Sequence, residues 1–78
     1  MYLKEISQII YTPGMKDSDR LITVKTYTDH KLIWEGKAKD LQSADIIEAS
    51  WHVVEIVVDH NDTSATNDYN KGKIIYVI

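Results

Sequence analysis

The 78-residue chain contains no cysteine, which excludes disulfides and thiolate metal sites and fits a reducing compartment. No basic segment leads into an apolar one near Met1, and no apolar run approaches the roughly 18 residues that suggest a membrane span. The expected location is therefore the cytoplasm, with no membrane contact. Glycine is scarce, and Gly14, Gly36 and Gly72 lie too far apart to build a phosphate cradle. Positive charge is missing from a long internal stretch: between Asp40 and Asn70 there are seven acids and no Lys or Arg. Ahead of that stretch seven cations outnumber five acids. The net charge of −3 is too small to select a partner, but its layout gives the chain a basic first half and an acidic second half.

A chain this short supports one core, so a single domain covering 1–78 is expected. Small domains are marginal without a staple, and a partner subunit is one of the few staples open to a chain without cysteine.

Along the chain, Tyr2, Leu3, Ile6, Ile9 and Ile10 recur at spacings of three and four, which is a helical period. The β-branched residues among them leave an N-terminal strand as the alternative. Thr12-Pro13-Gly14 ends the element in either case. Residues 21–28 are rich in β-branched side chains and read as a strand. Asp29-His30 then reads as a two-residue hairpin loop, with Asp tolerating positive φ. In the second arm, residues 31–39, strict alternation puts Leu32, Trp34, Gly36 and Ala38 on one face. Gly36 marks a bulge or a place where another part of the chain comes close.

Residues 40–49 lose the alternation. Asp45 and Glu48 have capping-box spacing, with room for about one helical turn. Residues 50–59 are the most apolar segment and read as a central strand buried on both faces. Residues 59–72 read as a polar, mobile loop, and 72–78 as a closing strand. The expected architecture is α+β: a four-stranded antiparallel β-meander with one short N-terminal helix packed on a face. Curling toward a small barrel is the alternative. Trp34 is expected to meet the helix stripe of Leu3, Ile6 and Ile10.

Several of these segments together carry a family likeness. Leu3-Lys4-Glu5-Ile6, Leu21-Ile22-Thr23-Val24, the Val53-x-x-Ile56 strand and above all the run Trp34-Glu35-Gly36-Lys37-Ala38-Lys39-Asp40 resemble small uncharacterised proteins encoded by phages, prophages and mobile elements of Gram-positive bacteria. The resemblance implies no catalytic activity and carries over no catalytic residue.

The residues themselves point the same way. His30, His52 and His60, with Asp59, match no zinc spacing. The calcium-like start at Asp59 has Ser64 where Gly is needed and Asn70 where a bidentate Glu is needed. No cofactor, metal site or catalytic set is expected, and the reading is a non-enzymatic interaction or accessory protein. Its candidate surface comes from counting apolar faces: Trp51, Val53, Val57, Ile75 and Val77 would form a face that one helix cannot cover, and such patches mark interfaces. A homodimer is the favoured partner, with the acidic stretch of one copy meeting the basic hairpin of the other. An unidentified protein partner is the other option. The runner-up function is weak nucleic-acid binding through Lys25, Tyr27, Lys31, Lys37 and Lys39, where aromatic rings would stack beside positive charge. Overall acidity opposes it.

Overall fold

The computed structural model describes residues 1–10, 20–63 and 71–78. The elements are helix α1 (Leu3–Ile10), strands β1 (Leu21–Thr26) and β2 (Leu32–Lys37), a one-turn helix α2 (Ala38–Leu41), a 3-10 turn (Asp45–Glu48), and strands β3 (Val53–Val58) and β4 (Lys73–Val77).

The α+β class holds, but the sheet is mixed and is not a meander. Its order is β2-β1-β4-β3, with β1 and β2 antiparallel, β3 and β4 antiparallel, and β1 parallel to β4. After β2 the chain crosses one face through α2 and the 3-10 turn, arrives at the far edge as β3, and returns up the centre as β4. The most apolar segment is therefore an edge strand, and the last strand is a central one. The sheet stays open, with β2 and β3 at opposite edges, so the barrel alternative fails.

All the described helical segments pack on one face. Leu3 and Ile6 of α1, Ala38 and Leu41 of α2, and Ile47 of the 3-10 turn form a single core with Ile22, Val24, Ile75 and Val77. The α1 period is thus a helix whose apolar stripe is buried by the sheet. Its first turn is closed from within: the Glu5 carboxylate accepts the Tyr2 N–H at 3.0 Å, half of a capping box. Ser7, polar but buried, donates its hydroxyl to the Lys4 carbonyl at 2.7 Å, which meets the requirement that a buried hydroxyl be paired.

Five local expectations are corrected. The second arm stops at Lys37, where Ala38-Lys39-Asp40-Leu41, mostly good helix formers, turn into α2 and bury Ala38 and Leu41. The Asp45–Glu48 capping pair does not form; Ala44 precedes the 3-10 turn with no side-chain cap. The hairpin loop is longer than two residues: Thr26 N–H donates to the Lys31 carbonyl at 2.9 Å and His30 N–H to the Thr26 carbonyl at 2.9 Å, so residues 27–30 form the loop. The positive φ, 55°, falls on His30 and not on Asp29, whose carboxylate accepts from the loop hydroxyls of Thr26 and Thr28. Finally, the register slips by one residue in each antiparallel pair. Val24 faces Trp34 while Lys25 faces Leu32, leaving Ile33 as an extra residue, and Val53 and Glu55 face Val77 and Tyr76, leaving Val54 extra. A bulge of this kind turns the strand beyond it onto the other face. Leu32 therefore leaves the face it was expected to share with Trp34.

Trp34 stays on the helix side, half-buried against the core. The Ile10 side chain of the expected stripe lies outside the described residues, as do most of the connection at 12–20 and positions 64–70 of the expected mobile loop.

Candidate interaction surface

Cross-strand register divides the sheet into two faces. Ile22, Val24, Trp34, Gly36, Ile75 and Val77 look toward the helices. Thr23, Glu35, Ile74 and, past the bulge, Lys25 and Leu32 look the other way, followed by Tyr76, Glu55 and Val57. None of the described helical segments lies on this outer face. Leu21, Thr23, Lys25, Leu32 and Ile74 floor a shallow groove of about 400 Å³, with His30 at one end, Glu35 on the β2 side, and Asp59 and Asn61 opposite. Leu21 and Leu32 are exposed, while Ile74 is half-buried. Its floor mixes the apolar Leu21, Leu32 and Ile74 with Thr23 and Lys25, and its walls carry the acids Glu35 and Asp59.

The hairpin loop fixes the His30 end. The Thr26 hydroxyl donates to the Asp29 carboxylate and accepts the Lys31 N–H at 2.9 Å, tying the two sides of the loop together. That hydroxyl, more than the Lys31 charge, holds the Asp29 carboxyl below its ordinary value. The loop also presents rings. His30 lies 5.1 Å from Tyr76 between centroids, and Tyr27 meets the same Tyr76 edge-on at 6.4 Å. Tyr27 is anchored by its backbone, whose N–H continues the parallel pairing onto the Val77 carbonyl at 2.8 Å.

The five residues expected to form one apolar face do not do so. Ile75 and Val77 are fully buried under the helices and cannot meet a partner; Trp51 and Val53 pack half-buried against the same core; Val57 alone looks outward, on the opposite face. The error follows from taking β3 as central. At an edge, its apolar residues border solvent, and it is β4 that lies between two strands. The outer face is instead built from Leu21, Leu32, Ile74 and Tyr76. The Ile74-Tyr76 alternation was visible in the sequence, whereas Leu32 reaches this face only through the bulge.

The basic set is also divided. Lys25, Tyr27 and Lys31 gather at the loop end, but Lys37 faces Leu21, four residues back along β1 from Lys25, about 13 Å at the usual strand rise. Lys39 is on α2. Glu55 is on β3 and Asp59 just past it, while Glu48 borders the same pocket as Lys4 and Asp59 the same groove as Lys25, so the basic and acidic halves of the sequence meet in the fold.

Among the described residues no group of three His, Asp or Glu side chains is placed to hold a metal ion. His30 is in the loop, and His52 stacks on Tyr2 with centroids 4.4 Å apart. No described helix is long and apolar enough to cross a membrane. Comparison with known proteins finds no match among family models, curated sequences or solved structures.

Proposed function

We propose that this chain is a small interaction or accessory domain without catalytic activity, and that it uses the outer face of the sheet to hold a protein partner. One observation carries the reading: every described helical element packs on one face, and the other presents a groove where Leu21, Leu32 and Ile74 lie beside Lys25 and between the acids Glu35 and Asp59. Apolar surface ringed by charge is what partner-binding faces expose. Phage or mobile-element origin is part of the same proposal and rests on the resemblance of the Trp34–Asp40 run.

The test is capture from a Gram-positive bacterial extract with the unaltered chain and with Leu32→Glu, which places an acid in the groove floor. Proteins retained by the first and lost by the second support the reading. Identical captures with both would end it.

Nucleic-acid binding is the second reading, favoured by the cluster of Tyr27, His30 and Tyr76, with Lys25 opposite Tyr76 in the register. Glu35 and Asp59 line the same groove and would repel phosphate. Tight, salt-sensitive binding to single-stranded DNA, lost in Tyr27→Ala, would promote this reading above the first.

A further inference from the structure

Among the described residues, nothing pairs with the outer edge of β3 along part of its length. At its start the fifth-strand position is already filled by the chain itself: Tyr2 pairs with His52, Leu3 N–H donates to the Trp51 carbonyl at 2.9 Å, and Val53 N–H donates to the Met1 carbonyl at 2.8 Å. Beyond Val53 no described residue continues that pairing. His52 exchanges both backbone hydrogen bonds with Ile78, Val57 faces Ile74, and Asp59 N–H reaches the Gly72 carbonyl at 2.9 Å. Alternation along an antiparallel ladder therefore turns the peptide groups of Ile56 and Val58 away from β4, toward the side where no described residue pairs. Val54 and Ile56, at 45% and 41% exposure, lie on this same edge.

Edge strands are normally guarded by charge or by covering chain. The opposite edge has such guards: β2 carries exposed Glu35 and Lys37 and ends in α2. From Val54 to Val58 the β3 edge carries one charge, Glu55.

From this the geometry points to a symmetric dimer in which β3 pairs antiparallel with β3 of a second copy, the twofold axis passing at Ile56, to give a continuous eight-stranded sheet. The fit of the segment to itself selects the occupant. Among the described residues the unpaired stretch runs from the bulge at Val54 to the turn at Asp59, and a reversed copy of the same residues fits along it. With the axis at Ile56, Ile56 faces its own copy and Glu55 faces Val57, while Val54, the extra residue of the bulge, ends the regular pairing. An axis at Glu55 would set Glu55 against itself, and one at Val57 would set Glu55 against Asp59; like charges directly opposite are destabilising. Of the three, only the Ile56 axis opposes no two acids, setting Ile56 against itself and Glu55 against Val57. This interface is separate from the outer-face groove and leaves that groove free on both copies.

Sedimentation equilibrium from micromolar to millimolar concentration tests it. The mass should rise from 9.0 kDa toward twice that value. Ile56→Lys brings two cations together on the axis, and Ile56→Pro removes the outward N–H at a position where an edge strand tolerates proline. Both should return the mass to that of one chain while the melting curve shows a folded domain, and Leu32→Lys should leave the doubled mass unchanged. Amide exchange on the unaltered chain reads the same interface without substitution: Ile56 should slow by about tenfold or more as the dimer forms. A single-chain mass at millimolar concentration overturns the proposal, as does a dimer that survives both Ile56 substitutions or leaves the Ile56 amide fast. A dimer dissolved by Leu32→Lys alone would move self-association to the outer face.

Discussion

A β-carbon on Gly36 would stand 2.9 Å from both Cη2 and Cζ2 of Trp34. The indole folds back along its own strand and occupies the space that any larger residue at 36 would need. The neighbour that Gly36 admits is thus a side chain two positions away, not a crossing helix or strand. Gly36→Val should cost about 1 to 3 kcal/mol through this overlap, read by urea unfolding, and should shift the emission of Trp34 in a Trp51→Phe background. A melting temperature equal to that of the parent would show that the ring moves aside freely.

Gly72 meets a stiffer neighbour. Its β-carbon would lie 2.7 Å from the Leu21 backbone carbonyl, and its N–H already donates to the Asp62 carboxylate at 2.7 Å. Backbone cannot rotate away as a side chain can, so Gly72→Ala should destabilise by about 1 to 3 kcal/mol although it adds only a methyl group. Equal unfolding midpoints for Gly72→Ala and the parent would contradict the close approach of residue 72 to β1.

The two sides of the sheet should respond differently to truncation. Ile75, fully buried, should lose about 2 to 5 kcal/mol on replacement by Ala. Val57, half-buried on the outer face, should stay within about 1 kcal/mol. Chemical denaturation of the two variants decides this, and the reverse order would restore β3 to the centre of the sheet.

The hairpin loop supplies a pH prediction. Because the Thr26 hydroxyl holds the folded Asp29 carboxyl below its ordinary value of 3.8, the loop's contribution to stability is present above that value and is lost as pH falls through the lower folded value. In a carboxyl-carbon NMR titration Asp29 should titrate below 3.8, and Thr26→Ala should bring it back toward that value. No change on Thr26→Ala would mean that the hydroxyl does not hold the carboxylate.

Which parts of this were legible follows from what local sequence records. The three-and-four spacing from Leu3 to Ile6 marks a helix because the buried stripe is made within one element. The β-branched run at 21–26 marks a strand for the same reason. Apolar content along residues 53–58 suggests central burial, yet an edge strand packed on a neighbour and bordering solvent carries the same residues. Whether Lys73–Val77 joins β1 in parallel is decided by a partner about 50 residues away, and no local pattern announces it. The outer face was hidden by the extra residue at Ile33, since alternation carried through a bulge assigns Leu32 to the wrong side. The helix-forming Ala38-Lys39-Asp40-Leu41 run was a usable signal for α2, overshadowed by continuity with the preceding strand.

The parallel pairing of β1 with β4 also has a consequence for how the protein comes to be made. The strand that joins the two halves of the sheet is synthesised after every strand it touches. Until residues 73–77 dock, the β1–β2 hairpin and the apolar β3 have no strand between them. Folding of the whole domain waits for that strand, and contacts of such long sequence separation form slowly. A chain released before β4 has docked offers unpaired apolar strands to whatever is nearby, so its yield in cells should depend on chaperone supply more than the stability of the finished domain would indicate.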